Sequence, residues 1–396
     1  MGTPLEGIRV VDLSQITSGP FGTMVLAEQG ADVVKVESLA PGDVMRTAAF
    51  HRGGLSSLYL NHNRGKRSIA VDLDTADGRA IVGDLMAGAD VVVQNFRPGV
   101  MERLGLGYAD VSARNPGVVY VSISGYGPDG PYSGMPVVDP ILQALSGVIA
   151  RQKSEEIPLP DLVRNIFIDK ATALTMAQSV CAALFARTRT GAGDHVEIPM
   201  LDLGIYFFWP DGMMDHTFLG DGVVPGPRIA DTYRLTWCAD GQLVYYAVTD
   251  EMRLGLFRAL HRPELCDDER FNNVATLVQG DNFETLGGIL AGAFTDLTVD
   301  EAIARMRAED VPCAPILEPE EVFDDPQVLH NHTIVEWEHP EAGRLRQPRH
   351  PVRFASGPTA VPERADSLGQ STDEILAEVD RTPEEIARLR DAGIVG

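Results

Sequence analysis

One acidic residue, Asp169, stands where a polar segment passes into a long apolar-periodic stretch. Apolar residues recur at helical spacing through Lys170–Arg187, and Gly191 and Gly193 end the pattern. A carboxylate in the first turn of such a helix is close to the positive end of the helix dipole and to unpaired backbone N–H groups, and both favour its ionised form. A fixed, ionised carboxylate can form a covalent acyl intermediate. Asp169 is therefore a candidate nucleophile, and a plain helix cap is the alternative interpretation.

The elements that must position Asp169 alternate between strand and helix. This alternation predicts an α/β fold whose mostly parallel sheet is covered on both faces, with ligands beyond the carboxyl ends of the strands. The predicted helices before Asp169 are Phe21–Gln29 and Ala76–Ala87. The predicted strands are Ile8–Leu13, Asp32–Glu37, Ser68–Leu73, Asp90–Gln94, Val118–Ser124 and His195–Pro199.

Three segments that follow predicted strands are candidates for ligand contact. Thr17–Pro20 opens a helix, where outward-pointing N–H groups can hold an anion, although it is not a GxGxxG fingerprint. Asn95–Gly99 offers the aromatic face of Phe96, and Arg97 and Arg103 have guanidinium groups suited to phosphates. A third loop, which begins at Gly125–Pro128, has glycines that allow a substrate to approach the backbone. Each segment is also compatible with an ordinary turn.

The densest basic cluster is Asn63–Arg67, just before a predicted strand. Such a cluster is either solvated surface or a site that neutralises a phosphate. The whole chain is acidic, with a formal net charge of −24, so nucleic acid and anionic lipid surfaces are disfavoured as partners.

The composition further narrows the class of protein to which the chain can belong. The four cysteines are far apart and the nine histidines form no HExxH pattern, which argues against disulfides and a metal centre and fits a cytoplasmic protein. No secretion signal and no apolar stretch long enough for a membrane span is found. The 396 residues allow two domains.

The second half of the chain predicts a smaller domain. Residues 204–230 are aromatic, rich in Met and punctuated by Gly and Pro, as in a connector that packs against something. Residues 231–325 combine a hairpin, Thr232–Cys238 with Gln242–Val248, and three short helices, which indicates an α+β unit. Two further helices, Asp373–Val379 and Pro383–Asp391, are predicted in the tail.

Taken in order, these segments resemble the family III CoA-transferases, a group related to 2-methylacyl-CoA racemase. The resemblance covers essentially the whole chain, and no single motif carries it. It runs through Leu5–Asp12, Ser18–Pro20, Gly30–Glu37, Pro41–Asp43, Asn63–Ser68, Asn95–Gly99, Ser124–Gly127, Gln143–Gly147, Asp169, Leu368–Gly369 and Thr372–Leu376.

The resemblance implies a fold, a site and an activity. It implies a Rossmann-like large domain from residues 1–203 completed by 326–396, a small domain at 231–325, and two chains interlocked as a homodimer. It implies CoA transfer from an acyl-CoA to a carboxylic acid with Asp169 as nucleophile, with CoA as substrate and no permanent cofactor. The matching CoA-holding positions are Thr17, Ser18, Val71, Leu73, Asp74, Asn95, Phe96, Arg97, Arg103, Val137, Val138 and Asp139.

Departures from the family pattern bear on the reaction and the substrate. Val138 stands where the racemase has a His, which favours transfer over racemisation because a second base is missing. Thr17 replaces a Gln of the formyl-CoA transferases, and Leu219–Pro227 has only three spaced glycines where they have a run. Both departures disfavour oxalate as the substrate acid and favour a bulkier acid. A racemase or epimerase and a non-catalytic CoA-binding protein stay open as alternatives.

Overall fold

The computed structural model describes residues 2–153, 158–355 and 363–396. The chain separates into two compact units, Met1–Phe208 with His330–Gly396, and Trp209–Leu329. The division falls inside a helix, Met200–Gly212, so the segment 204–230 is shared between the two units.

The first unit is built on a six-stranded, fully parallel sheet. Its strands follow in the order β3-β2-β1-β4-β5-β6. Their bounds are β1 Arg9–Asp12, β2 Asp32–Glu37, β3 Lys66–Ala70, β4 Val91–Gln94, β5 Val119–Ser124 and β6 Asp194–Pro199. The parallel sheet is confirmed, and this strand order is that of a doubly wound nucleotide-binding fold.

Helices cover both faces of the sheet. Those of the first unit before the division are α1 Ser18–Glu28, α2 Ser57–Asn63, α3 Ala76–Ala87, α4 Val100–Arg103, α5 Tyr108–Arg114, α6 Asp139–Leu145, α7 Val148–Arg151 and α8 Phe167–Thr190, followed by α9 Met200–Gly212. One apolar core packs α1 and α8 against the sheet, and a second packs α3 and α5 against the opposite face. A Cβ on Gly22 of α1 would lie 2.7 Å from the carbonyl oxygen of Ala173 of α8, so glycine permits this close helix pair.

The C-terminal segment completes the first unit. Its helices Thr372–Ala377 and Pro383–Asp391 bury Ile375, Leu376, Ile386 and Leu389 in the core beside α3. A two-stranded antiparallel hairpin, Ile334–His339 with Gly343–Pro348, precedes them and has no counterpart among the predicted elements. A shorter hairpin pairs His51–Arg52 with Leu55–Ser56.

The second unit has its own antiparallel sheet and core. The predicted hairpin is confirmed with shorter strands, Thr236–Trp237 and Gln242–Tyr245, and Cys313–Pro315 adds a third strand that was not predicted. Four helices pack on the sheet around a core that includes Phe257, Phe271 and Phe294. They are Asp250–Ala259, Val274–Leu277, Asn282–Phe294 and Val299–Ala308.

The basic cluster at Asn63–Arg67 lies inside the first unit. Lys66 donates to Asp12 at 2.9 Å, Arg64 pairs with Glu28, and Arg67 pairs with Asp32 and with two acids of the C-terminal segment. The prediction that this cluster can neutralise a phosphate is wrong, because all three cations are buried and already paired. A charged side chain that is buried away from solvent needs such a partner.

Among the described residues, no helix is both long and apolar enough to cross a bilayer. Several large apolar side chains of the segment 204–230 are nevertheless exposed in the single chain, among them Tyr206, Phe207, Phe218, Leu219 and Val224.

The buried Lys66–Asp12 pair gives a stability prediction. Replacing Lys66 with Ala leaves the Asp12 carboxylate buried without its closest cation, and we expect a loss of about 3–5 kcal/mol of unfolding free energy in urea titrations at neutral pH. Arg114→Ala removes the exposed pair with Asp84 and is the control, with a much smaller expected loss. Equal losses in the two variants would contradict the role given to the buried pair.

Candidate active site

The strand order reverses between β1 and β4, which are neighbours in the sheet. Chains that leave the carboxyl ends of two such strands diverge, and the crevice between them is where parallel sheets bind ligands. The loop Leu13–Thr17 follows β1 and the loop Asn95–Gly99 follows β4, so both loops lie at the carboxyl ends of strands, as the sequence predicted.

Two cavities open beside these loops. The larger, of about 610 Å³, is lined mainly by apolar side chains together with acidic groups and Arg103. The smaller, of about 230 Å³, contains Asp169 and is lined otherwise by apolar side chains, serines, Asn95 and Arg97. Phe96 lines both cavities, so its ring lies between them.

The structure distributes the predicted site residues between the two cavities. The larger cavity brings together Val71, Leu73, Asp74, Phe96 and Arg103. The smaller brings together Ser18, Asn95, Phe96, Arg97, Val137, Val138 and Asp169. Thr17 and Asp139 line neither cavity, and their side chains are fully buried.

Arg97 and Arg103 are exposed, and neither forms an ion pair or hydrogen bond within the described ranges. Most other arginines of the first unit hold carboxylates or backbone carbonyls. A free guanidinium beside a cavity in an acidic protein is suited to an anionic ligand, since it can form paired hydrogen bonds with phosphate oxygens.

The side chain of Asn95 joins the two loops. Its Oδ1 accepts from the backbone N–H of Gln15 at 2.8 Å, and its Nδ2 donates to the carbonyl of Gln15 at 2.8 Å. These two bonds fasten the loop after β1 to the loop after β4. Asn95 thus helps to fix the wall of the cavity that it lines.

A row of hydrogen-bonded polar side chains supports Phe96. The backbone N–H of Phe96 donates to Gln94 Oε1 at 2.8 Å, Gln94 Nε2 donates to Ser122 Oγ at 3.0 Å, and Ser122 Oγ lies 2.9 Å from Nε2 of His195. The His195 ring stacks on Tyr108 with centroids 4.6 Å apart. These groups come from three adjacent strands, β4, β5 and β6, and they position the aromatic ring between the cavities.

Asp169 lies in the first turn of α8, as predicted, but the helix tip is not free. The backbone N–H groups of Ile168 and Asp169 donate to Oδ2 of Asp139 at 2.8 and 3.1 Å. Gln143 holds the other oxygen of Asp139 at 2.6 Å. The expectation that these N–H groups favour an ionised Asp169 is therefore wrong, because a second carboxylate has taken them.

The pKa of Asp169 is shifted in the direction opposite to the expected one. Burial, and secondly the negative charge of Asp139, raises the pKa of Asp169 to about 7. No hydrogen bond or ion pair reaches the Asp169 carboxyl within the described part of the chain, although its side chain faces the smaller cavity. A carboxylate without stabilising partners is a stronger nucleophile than one held by donors, and perturbed groups of this kind cluster at functional sites.

Comparison with known proteins agrees with this geometry. Residues 5–372 match the sequence model of CoA-transferase family III. The chain belongs to CoA-transferase family III. It is therefore an enzyme of a family whose members use CoA thioesters as substrates.

Relatives and solved structures match over nearly their full length. Human succinyl-CoA:glutarate CoA-transferase is 32% identical over 402 residues, which cover 99% of this chain and 90% of the relative. Formyl-CoA:oxalate CoA-transferase of Rhodopseudomonas palustris is 30% identical over 423 residues, covering 99% of this chain and 97% of the relative.

Two crystal structures share the fold. An aspartate-to-alanine mutant of Rv3272 from Mycobacterium tuberculosis has a TM-score of 0.84 at 30% identity and covers 95% of this chain and 99% of its own. A CAIB/BAIF family protein from Brucella suis has a TM-score of 0.80 at 30% identity, covering 96% of this chain and 100% of its own.

Sequence reasoning missed several residues that shape this family III site. Gln94 and Ser122 are polar residues in otherwise apolar strands, and that break in the pattern is the signal that could have singled them out. The sequence gives no such signal for Gln143, because its contacts with Val163 and Asn165 form only in the tertiary structure.

The Asp139–Asp169 arrangement predicts a pH dependence. Since nucleophilic attack needs the ionised carboxylate, activity should fall as pH decreases through about 7, the raised pKa of Asp169. Asp139→Asn removes one cause of the raised pKa, so the acidic limb of the kcat/KM profile, which reports ionisations of the free enzyme, should move to lower pH by about one unit.

The control for this variant is Asp110→Asn, which removes the same charge from an exposed position that lines neither cavity. Its profile should match that of the wild type. An acidic limb that stays in place in Asp139→Asn would show that Asp139 does not govern the ionisation of Asp169.

Proposed function

We propose that this enzyme moves CoA from an acyl-CoA donor to a free carboxylic acid through a covalent aspartyl-CoA intermediate on Asp169. The observation that carries the proposal is the state of Asp169, a carboxyl that faces a cavity beside the loops after β1 and β4 and that no described group neutralises.

The donor would occupy both cavities. Its nucleotide end would lie in the larger cavity, where Arg103 offers charge to phosphates and apolar walls such as Leu73 offer a surface for the ring. The pantetheine arm would pass Phe96, which lines both cavities, and bring the thioester to Asp169. In this arrangement Arg97 is placed to meet an anionic group near the passage.

The chemistry proceeds by two exchanges at carbonyl carbons. A carboxylate oxygen of Asp169 attacks the thioester carbon, the carbon–sulfur bond breaks, and CoA leaves as a thiolate from an acyl–aspartyl anhydride. The thiolate then attacks the aspartyl carbonyl carbon, which forms aspartyl-CoA and releases the donor acid with one oxygen taken from Asp169. The acceptor carboxylate runs both steps in reverse, so the energy of the thioester is retained and no redox group is consumed.

The cavity favours transfer over racemisation. Among the described residues that line it, Asp169 is the only acid or base apart from Arg97, and the position beside Asp139 is the apolar Val138. Exchange of an α-proton needs a base on each face of the carbon, whereas acyl exchange needs one nucleophile. The positive end of α1, at Ser18, is available to stabilise the oxyanion that forms in each step.

The exposed apolar side chains of 204–230 support the further proposal of a homodimer. Leu219 and Val224 are 93% and 89% exposed. Large apolar side chains exposed in this number along one segment are typical of an interface. An interlocked pair of chains would cover this segment.

Replacement of Asp169 tests the nucleophile. Both Asp169→Ala and Asp169→Asn should lower transfer by about 10³-fold or more, because the covalent route is lost, while CoA affinity measured by calorimetry changes little. Mass spectrometry of the wild type incubated with acetyl-CoA or succinyl-CoA should show a CoA adduct on the peptide that contains Asp169.

Asp161→Asn is the matched control, since this half-buried acid precedes α8 and lines neither cavity. It should transfer CoA as the wild type does. Undiminished transfer by Asp169→Asn, or an adduct on another residue, would refute the assignment of the nucleophile.

A further inference from the structure

Ile16 has a backbone conformation that isoleucine rarely adopts. Its φ is +71°, in the left-handed region, where a β-branched side chain clashes with the neighbouring carbonyl. The residue lies between β1 and α1, lines the cavity of Asp169, and is 40% exposed there. A glycine would adopt this φ without strain, so an isoleucine at this position needs another reason.

The surrounding structure fixes this conformation from several sides. Asn95 holds both the N–H and the carbonyl of Gln15, and Asp43 Oδ1 accepts from the N–H of Ile16 at 3.2 Å. The carbonyl of Ser14 accepts from buried Lys35 at 2.8 Å. Lys35 in turn pairs with the second oxygen of Asp43 at 3.0 Å. Strained residues persist where the structure over-determines them in this way, and such places cluster at ligand sites.

The side chain of Ile16 belongs to an apolar wall of the cavity that contains Asp169. A β-branched side chain has few rotamers, so a backbone held this firmly makes Ile16 a rigid part of that wall. The other apolar members of the lining are Phe96, Pro98, Ile123, Met135, Pro136, Val137, Val138 and Met200.

We propose that Ile16 is a specificity-determining residue that limits the length of the acyl group received at Asp169. This inference rests on the proposed function. The site would take compact aliphatic acyl groups, because the cavity is only about 230 Å³ and Ile16 closes one side of it. The strain at Ile16 is then the consequence of keeping a bulky, rigid wall where the loop itself favours glycine.

The test uses Ile16→Gly and Ile16→Ala, which both open the wall, while only glycine also relieves the backbone. Straight-chain acids from acetate to octanoate are assayed as acceptors with acetyl-CoA or succinyl-CoA as donor. We expect the kcat/KM ratio of octanoate to butyrate to rise about ten-fold or more in both variants, as for a pocket enlarged by several carbon atoms. The Kd for free CoA should not change.

Thermal unfolding supplies an independent readout. Ile16→Gly should unfold at a higher temperature than Ile16→Ala, since only the glycine variant loses the strain. Asp380→Gly is the matched control: it also removes a left-handed non-glycine residue, at φ +60° outside both cavities, and should leave the acid profile unchanged.

The outcomes separate the inference from the proposed function. Transfer and an Asp169 adduct in the wild type, with an unchanged acid ratio in both Ile16 variants, would overturn the inference alone. A weakened Kd for CoA with a uniform fall for all acids would also overturn it, because Ile16 would then contact the CoA arm. No transfer and no adduct in the wild type would overturn both.

Discussion

The cap of α8 by the buried Asp139 carboxylate is the interaction on which the site depends. A helix N-terminus usually stabilises an anion, and the first turn of α8 offers its N–H groups to Asp139 instead of to Asp169. One carboxylate is thereby satisfied, whereas no described group donates to the other, which is partly buried. The same contact anchors the helix, and after burial the charge of Asp139 is the second cause of the raised pKa of Asp169. Structure and reactivity are thus coupled through one pair of acids.

The second constraint is the rigidity of the loops at the carboxyl ends of β1 and β4. Asn95 joins them through its amide, and the buried charges of Lys35, Asp43 and Lys66 hold the first loop from the sheet side. Buried ion pairs add little net stability compared with apolar packing, but they penalise any arrangement that leaves one charge alone. In this enzyme the buried ion pairs define the position of the loop and of its strained Ile16. Apolar contacts would not fix that position as narrowly.

Much of the architecture follows from local sequence patterns. Apolar runs such as Asp32–Glu37 and the periodic run of Ala76–Ala87 appear with the predicted bounds, because strand and helix period dominate in those segments. The edge beside which both candidate cavities open followed from the parallel sheet. The hairpin Ile334–His339 with Gly343–Pro348 was not predicted, since its strands are rich in charged residues and contain no apolar run.

The electrostatics of the site could not be read from the sequence in the same way. The partners of Arg64, Lys66 and Arg67 are far away in the chain, so a basic cluster that reads as surface is buried and paired in the fold. The neighbour that controls Asp169 is 30 positions away at Asp139, and only tertiary structure shows that both meet at one helix tip. Residue type alone likewise does not distinguish a side chain that joins two loops, such as Asn95, from one that binds a ligand.

The central claim, that the Asp169 carboxylate exchanges its own oxygen with the substrate acid, has a direct isotopic test. The enzyme would be cycled with an acyl-CoA and an acceptor acid whose carboxylate carries heavy oxygen, then digested and analysed by mass spectrometry. The account predicts heavy oxygen in the carboxyl of Asp169, because each acceptor leaves one oxygen there when CoA attacks its anhydride. Continued transfer with no label in Asp169 would contradict the account.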